Sequence, residues 1–196
     1  MSSETSASLL DRVRERGDAA SWQVLVEIYT PMIRGWLSRH SGLDQDSEDV
    51  IQDVLTIVVR RIPEFQREPR IGAFRAWLRA ITINCLRETW KARQRRPNAA
   101  ANSRVAEILN QLEDPHSDLS QVWNQEHDQH VTRRLLEIIR SEFTEVTWLA
   151  FQRFALYGEA ADSVAADLGL TPNAVFIAKS RVLSALRREG AGLLDD

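Results

Sequence analysis

Helical periodicity runs through nearly the whole chain of 196 residues, and no segment sustains the alternation of apolar and polar residues expected of a strand. Only eight glycines and six prolines interrupt this pattern, whereas residues that favour helices, such as Leu, Ala, Arg and Glu, are abundant. The sequence therefore predicts an all-α fold, with its turns at the positions where Gly or Pro occurs.

Turn signals divide this helical chain into two blocks. A turn is predicted inside the first block at Ser41-Gly42, and Pro97 ends that block because proline cannot continue a helix. The polar stretch that follows is predicted to be a linker with a short helix at Val105–Leu112. The predicted division is an N-terminal extension at 1–20, a helical domain at 21–96, the linker at 97–121, a second helical domain at 122–189 and a tail at 190–196.

The clearest local pattern lies near the C-terminus, in residues 163–189. A short helix is predicted to end at Leu168, and Gly169 suits the left-handed conformation that follows a helix end. Thr171 can cap the next helix with its hydroxyl, and Pro172 fits the first helical position. This order is typical of DNA-reading helix-turn-helix units, so we predict a winged-helix-like DNA-binding domain without a wing.

The last helix has two different faces. The face expected to be core consists of Val175, Ala178, Val182 and Leu186. The opposite face is predicted to contact duplex DNA and consists of Asn173, Phe176, Ile177, Ser180, Arg181, Ser184 and Arg187. Apolar groups on this face could meet thymine methyl groups, while Arg and Ser could meet phosphates or base edges. The alternative is a helical hairpin that packs on another domain.

An acidic helix is predicted over residues 46–62. Its wide apolar face consists of Val50, Ile51, Val54, Leu55, Ile57, Val58 and Ile62. Asp49 and Asp53 lie opposite, with Gln52 beside them, and two carboxylates four residues apart repel each other by a few tenths of a kcal/mol, on the order of 0.3. Either the acidic stripe faces a basic partner, or the helix dipole alone favours acids near this end.

A basic segment follows. Between residues 67 and 96, nine basic and two acidic residues give a formal charge of +7, although the whole chain carries −3. The helix there has a core stripe, made of Phe74, Leu78, Ile81 and Cys85. A neighbouring stripe consists of Trp77, Ala80, Asn84, Arg87 and Lys91, and the preceding loop adds Arg67, Arg70 and a flexible Gly72. A line of aromatic, amide and cationic side chains suits melted or single-stranded nucleic acid, because bases stack on aromatics, amides bond base edges and cations hold phosphates. Taken alone, Trp77 is better interpreted as a core residue.

Several classes of protein are disfavoured. No apolar run is long enough to cross a bilayer, no signal-peptide pattern precedes the first helix, and a lone Cys85 permits no internal disulfide. We therefore expect a cytoplasmic protein without membrane insertion. His127 and His130 lie three apart on a predicted surface helix with no further ligand nearby, and no phosphate loop or activated nucleophile occurs. We expect no catalytic residue, no metal, no cofactor and no enzymatic activity.

Taken in order, these motifs resemble the bacterial extracytoplasmic-function sigma factors. The motifs are the acidic DxEDVIQDV helix, F-R-x-W-L-x-x-I-x-x-N, the basic RxRR end, a linker and a terminal helix-turn-helix. The resemblance covers about residues 20–96 and 125–189 and implies a protein that binds core RNA polymerase, recognises promoter DNA and assists its melting. It also leaves room for an anti-sigma protein as a further partner.

The resemblance implies a role for each matching residue. Asp49, Gln52 and Asp53 match the positions that grip the clamp helices of the largest polymerase subunit. The segment 65–74 matches the loop that captures a flipped base of the minus-ten element. Trp77 and Asn84 match positions lining the melted strand, which Arg87 and Lys91 would follow along its backbone. The last helix matches the reader of the duplex minus-thirty-five element.

One segment departs from the family pattern, and two other functions stay open. Many relatives have a basic, Ser-Arg-rich start to the last helix, where this chain has Phe176-Ile177-Ala178-Lys179. A dimeric helix-turn-helix regulator acting without polymerase predicts an operator footprint by the protein alone. A helical protein-interaction module predicts no nucleic-acid binding. The combination of the acidic stripe with the Trp77–Asn84 stripe favours a sigma factor over both.

Overall fold

Helices account for most of the described chain. The computed structural model describes residues 7–15, 18–40, 47–65, 72–93 and 99–194, and within these residues there is no β-strand, which confirms the all-α prediction. The helices are α1 (Leu9–Arg14), α2 (Ala19–Arg39), α3 (Ser47–Arg61), α4 (Ala73–Arg93), α5 (Ala99–Glu113), α6 (Asp118–Ile139), α7 (Glu145–Phe151), α8 (Ala161–Leu168) and α9 (Pro172–Gly190). Short 3-10 turns follow α3 and α6, and a π-helical segment, Gln152–Leu156, continues α7.

Several helices begin at a residue whose side chain caps the first turn. The side-chain oxygens of Ser8, Asp18, Ser117, Thr144 and Thr171 each accept a hydrogen bond from a backbone amide of the first turn. Such caps satisfy amides that have no partner inside the helix. The boundaries of five helices are therefore encoded locally. The predicted turn at Ser41-Gly42 lies outside the described residues.

Helices α2, α3 and α4 pack around one apolar core, as the sequence predicts. The predicted apolar face of α3 supplies buried Val50, Ile51, Val54 and Val58. The predicted core stripe of α4 is buried throughout, at Phe74, Leu78, Ile81 and Cys85. Both amphipathic interpretations are thus confirmed, because the residues predicted for the two core faces are buried or partly buried.

Two segments are more ordered than the sequence predicts. The N-terminal extension contains α1, whose Arg12 reaches Glu189 of α9 with an N–O distance of 2.5 Å. In the predicted linker, α5 begins at Ala99, six residues before the predicted start, and packs through buried Val105, Leu109 and Leu112. The sequence NAAANS is compatible with a helix because alanine has the highest helix propensity of all residues. The division into domains stays a prediction.

Helix α6 connects the two predicted domains through a continuous buried stripe. The stripe consists of Trp123, His127, Val131, Leu135 and Ile139, spaced four apart and all buried. The Trp123 ring meets Trp36 of α2 edge-on, with 5.1 Å between ring centroids. The prediction that this segment is a surface helix is wrong, since the His127 side chain is fully buried and His130 Nε2 lies 2.8 Å from the Ile28 carbonyl oxygen.

The C-terminal helices pack around two smaller clusters. One joins the end of α6 to α7 and α9 through buried Ile139, Trp148, Phe151, Val182 and Ala185. The other joins α7, α8 and α9 through buried Ala150, Val164, Ala165, Val175 and Ala178. Val175, Ala178 and Val182 were expected in the core, and their burial leaves the opposite face of α9 outward.

Candidate polymerase and promoter interface

The acidic stripe of α3 is exposed. Asp49, Gln52 and Asp53 all lie at the surface, on the side opposite the buried face of the helix. Their neighbour Glu48 is paired instead, because both of its oxygens accept hydrogen bonds of 2.8 Å from Arg34 of α2. This pairing holds the pKa of the Glu48 carboxyl below its ordinary value. The stripe therefore offers Asp49 and Asp53 to a partner outside the chain.

An apolar groove lies beside this stripe. It is lined by Thr30 of α2 and by Ile51, Leu55 and Val59 of α3, together with the aliphatic parts of neighbouring polar residues. Val59 is 46% exposed, which is high for a branched aliphatic side chain on a helix. A surface that combines carboxylates with exposed apolar groups suits a protein partner with basic residues.

The outer stripe of α4 combines packed and exposed residues. Trp77 is half-buried, with ring centroids 5.0 Å from Phe65 and 5.4 Å from Phe74. Asn84 and Lys91 are exposed, and the Lys91 ammonium lies 2.8 Å from Glu88 on the same helix. The half-exposed indole is thus fixed in orientation by two aromatic neighbours, as a stacking platform for a base requires.

The loop before α4 ends in a constrained glycine. Gly72 has a φ of +76°, a conformation that L side chains rarely adopt, and a Cβ there would lie 2.7 Å from Nε of Arg75. Gly72 was predicted to be a flexible position. In the structure it instead adopts a positive φ just before α4 that only glycine takes up without strain. Arg67 and Arg70, the two predicted contacts in this loop, lie outside the described residues.

Three cations of the basic segment are held by other helices. Arg75 contacts Asp128 of α6 at 2.5 Å, and Arg87 forms a salt bridge with Glu113 of α5. Arg79 is only 7% exposed and donates a 3.1 Å hydrogen bond to Asn124 of α6. Burial and then the neighbouring positive charge of Arg75 lower the pKa of Arg79. The charge of +7 therefore overstates what the folded segment presents to a ligand, because charge counts cannot show pairing across helices.

A buried polar network joins α2, α4 and α6. The hydroxyl of Tyr29 lies 3.1 Å from Nε2 of His127, whose Nδ1 lies 2.9 Å from the Asp128 carboxylate. Burial acts to raise the pKa of Asp128, but hydrogen bonds from His127 and Arg75 outweigh it and lower that pKa. Burial raises the pKa of Tyr29 well above its ordinary value. This network fixes α6 against α2 and α4. The sequence signal for it is that His127 lies four residues after Trp123, which places both on one side of the helix.

Helix α5 lies against part of the α4 stripe. A shallow cleft between the two helices is lined by Ala80, Ile83 and Asn84 of α4 and by Leu112 and Glu113 of α5. Glu113 is also the partner of Arg87. Two of the predicted minus-ten residues, Asn84 and Arg87, therefore lie next to α5 in this conformation.

The helix-turn-helix has the predicted local geometry. Helix α8 ends at Leu168, and Gly169 follows in the left-handed region with φ +66°. The Thr171 hydroxyl accepts a 3.2 Å hydrogen bond from the Ala174 amide, and Pro172 is the first residue of α9. Every residue predicted to face duplex DNA is exposed, namely Asn173, Phe176, Ile177, Ser180, Arg181, Ser184 and Arg187.

Other kinds of site are not found in the described residues. No group of three or more His, Cys, Asp or Glu among them could hold a metal ion. Cys85 is buried, and desolvation followed by the charge of Asp53 raises its pKa to about 11, so the thiol stays protonated and unreactive. None of the described helices is both long and apolar enough to pass through a membrane.

Comparison with known proteins agrees with this geometry. Residues 25–96, which contain α3 and α4 with both predicted stripes, match the family Sigma-70 region 2. RNA polymerase sigma-H factor of Pseudomonas aeruginosa is 25% identical over 191 residues, which cover 95% of this chain and 96% of that protein. Residues 25–96 thus match a Sigma-70 region 2 domain, and nearly the whole chain is similar to a bacterial sigma factor. No solved structure matches it.

The match to Sigma-70 region 2 agrees with the predicted surface patterns. Both patterns on which the resemblance depends, the acidic stripe of α3 and the Trp77–Asn84 stripe of α4, lie inside the matched region. The helix-turn-helix of α8 and α9 lies outside it and is covered by the similarity to sigma-H factor. The contacts of individual residues stay predictions.

Proposed function

We propose that this chain is a sigma factor of the small extracytoplasmic-function kind, which acts in the cytoplasm and binds core RNA polymerase and promoter DNA without performing bond chemistry itself. The observation that carries the proposal is the match of residues 25–96 to Sigma-70 region 2, over a segment with an exposed acidic stripe and an aromatic-amide stripe. In this proposal the chain contributes to initiation by trapping unstacked promoter bases. The binding of these bases offsets the cost of unstacking, which is about 2 kcal/mol or more per step.

The polymerase contact is assigned to Asp49, Gln52 and Asp53. None of the three forms a salt bridge or hydrogen bond through its side chain within the described residues, so a basic helix of the polymerase can meet them without breaking internal contacts. The apolar groove at Leu55 and Val59 extends the same surface. Desolvated charge pairs bordered by apolar contacts favour a specific and tight interface.

Charge reversal tests this contact. We expect the double variant Asp49→Arg/Asp53→Arg to lose co-purification with core polymerase, because both carboxylates would be replaced by cations facing a basic partner. The matched control is Glu27→Arg/Glu107→Arg, which reverses two exposed carboxylates on α2 and α5. Unchanged core affinity of the Asp49/Asp53 variant would refute the assignment, provided that both variants keep their helical circular dichroism.

The minus-ten contact is assigned to the stripe of Trp77, Asn84, Arg87 and Lys91, with Arg67 and Arg70 from the preceding loop. A half-exposed indole can stack on a base, and the exposed Asn84 amide can both donate to and accept from a base edge. We expect Asn84→Ala to alter promoter selectivity at a single minus-ten position. Transcription from a randomised minus-ten library measures this, and an unaltered base preference would contradict the assignment.

Use of the Arg87 end of this stripe requires α5 to move. Arg87 cannot follow a phosphate backbone while it pairs with Glu113, and Leu112 and Glu113 border Asn84. We propose that binding to core polymerase and promoter DNA draws α5 away from α4. The cost is modest on the Arg87 side, since half-exposed ion pairs stabilise a fold by only about 0–1 kcal/mol. Energy transfer between fluorophores on α4 and α5 measures the separation with and without core polymerase.

The minus-thirty-five contact is assigned to the exposed face of α9. Recognition helices of helix-turn-helix proteins reach base edges with their N-terminal residues, which here are Asn173, Phe176 and Ile177. Ser180, Arg181, Ser184 and Arg187 continue the same face and reach the duplex further along the helix. A footprint over the minus-thirty-five element that appears only with core polymerase supports this assignment, whereas a footprint by the protein alone would indicate a dimeric operator-binding regulator.

A further inference from the structure

The start of the exposed α9 face is apolar rather than basic. Phe176 is 52% exposed and Ile177 is 50% exposed, although both belong to residue types that are usually buried. They are the fifth and sixth residues of a helix that begins at Pro172. Exposed side chains of this size near the N-terminus of the helix suit a ligand that presents an apolar feature.

The Phe176 ring is held in place while half of its surface stays open. It meets Phe154 edge-on, with 5.0 Å between ring centroids and an interplanar angle of 85°. Phe154 belongs to the π-helical segment Gln152–Leu156, and the Lys179 ammonium lies 5.3 Å from its ring centroid. Edge-to-face pairs and cation–π contacts favour one orientation of the rings. Phe176 is therefore a preorganised contact surface rather than a loose side chain.

The charge around this apolar pair identifies the class of ligand. Arg181 and Arg187 are exposed and have no salt-bridge partner among the described residues. The single acidic residue in α9, Glu189, is buried and paired with Arg12. An apolar centre bordered by unpaired cations, with no carboxylate on the face, complements a polyanion that exposes apolar groups.

Duplex DNA offers such a group in its major groove. The C5-methyl of thymine is the apolar feature that distinguishes base pairs there, and Phe is among the side chains that contact it. Cytosine presents an amino donor at the neighbouring position, which neither Phe176 nor Ile177 can satisfy. A base edge that meets these two side chains is therefore favoured when it carries a methyl group.

We propose that Phe176 and Ile177 read thymine methyl groups in the upstream duplex element, so that this sigma factor selects thymine at one or two fixed positions. The inference rests on the proposed function, because it takes α9 to be the promoter reader. Burying one methyl group strengthens binding by about fourfold. Arg181, Ser184 and Arg187 then supply phosphate contacts that do not depend on sequence.

Replacing thymine by uracil removes the methyl group and leaves every hydrogen-bonding group unchanged. The experiment uses holoenzyme assembled from core polymerase and the full chain, on a promoter selected from a library. Each upstream thymine is replaced singly by deoxyuridine. We expect about a fourfold loss of affinity at one or two positions and none elsewhere. Placing 5-methylcytosine at the same positions should bind better than cytosine.

Variants assign the effect to the two side chains. Phe176→Ala and Ile177→Ala should bind thymine and uracil promoters equally, whereas Val146→Ala, which shortens an exposed aliphatic residue on α7, should keep the preference for thymine. Equal binding of thymine and uracil by the unaltered holoenzyme at every position would overturn the inference. Loss of core polymerase binding in the Phe176 variant, without any uracil effect, would overturn it as well by showing a protein contact.

The proposed function and the reading of thymine methyl groups are refuted by different results. If the chain directs no promoter-dependent transcription with core polymerase, the proposed function is refuted. If transcription occurs but uracil is tolerated at every upstream position, only the reading of methyl groups is refuted. Thermal unfolding of the Phe176 and Ile177 variants confirms that each is folded, which their half-exposed positions favour.

Discussion

The two predicted DNA-binding faces differ in how their cations are used. On α4, Arg75, Arg79 and Arg87 contact residues of α5 and α6, and part of the stripe adjoins α5. On α9, Arg181 and Arg187 project to solvent and make no salt bridge within the described residues. The same residue type therefore serves packing in one region and remains available for a ligand in the other.

This difference matches the chemistry of the two DNA targets. The upstream element is ordinary duplex, which is present before the polymerase acts, so its reader can be exposed at all times. The stripe proposed for the minus-ten element would act on bases that become available only when promoter DNA melts. We propose that α5, which adjoins the Arg87 end of that stripe, limits unproductive binding of single strands and that its displacement is coupled to the polymerase.

The largest expected effect comes from removing the α6 contact that holds the two regions together. Trp123→Ala should lower the free energy of unfolding by about 3 to 5 kcal/mol, because Trp123 is fully buried against Trp36. Chemical denaturation should show a single transition at lower denaturant. Trp77→Ala, which truncates a half-buried indole, should cost less, and equal losses in the two variants would contradict the dominant role given to the Trp123 contact.

A smaller and pH-dependent effect is expected at Asp128. Its pKa lies below the ordinary value of 3.8, so its contribution to stability is present above that pH and is lost as pH falls through the lowered pKa. The Asp128 side chain is 39% exposed, so solvent screens its ion pair, and Asp128→Asn should cost only about 1 kcal/mol near neutral pH. The difference from the unaltered protein should shrink below about pH 4.

The matched control for Asp128 is Asp114→Asn, whose amide can still accept the His116 hydrogen bond. Unfolding free energies measured from pH 7 to pH 3 compare the two variants. A constant difference between Asp128→Asn and the unaltered protein across this range would contradict the role of the Arg75–Asp128–His127 network.

On the exposed face of α9, Arg181→Ala should weaken binding to the upstream duplex about fivefold. The slope of log affinity against log salt concentration should become shallower by about 1, the value expected for one lost phosphate contact. Its stability should be unchanged, since Arg181 is exposed. Arg133→Ala, an exposed cation on α6, is the control and should leave duplex affinity unaltered. An intact affinity and salt slope for Arg181→Ala would show that the reading face is wrongly assigned.

The smallest effect is expected from releasing Arg87. Glu113→Gln removes the carboxylate that pairs with Arg87 and should raise affinity for a single-stranded minus-ten oligonucleotide about two- to fourfold. Glu107→Gln, on the same helix and exposed, should have no effect. If both variants bind the oligonucleotide as the unaltered protein does, α5 does not compete with the melted strand.

Local features were predictable from sequence. Gly169, Thr171 and Pro172 define the turn and the start of α9 by backbone and capping chemistry that acts within a few residues. The buried face of α3 followed from the helical spacing of Val50, Val54 and Val58. Such features depend on neighbours along the chain, so they can be inferred without knowing how helices pack.

Features that depend on packing between helices were not predictable in the same way. Arg75 and Arg79 look like nucleic-acid cations in the sequence, because their partners on α6 lie more than 40 residues away along the chain. The polar neighbours of His127 suggest a surface helix, although its spacing from Trp123 and Val131 places it on the buried stripe. Charge and composition describe a segment, whereas pairing depends on the fold.

Runoff transcription with core RNA polymerase and a promoter library, with and without this chain, tests the central claim most directly. We expect transcripts from a subset of promoters only when the chain is present, with a shared upstream element and a shared minus-ten element among those promoters. The Asp49→Arg/Asp53→Arg variant should abolish them. Identical transcripts with and without the chain would contradict its assignment as a promoter-specific initiation factor.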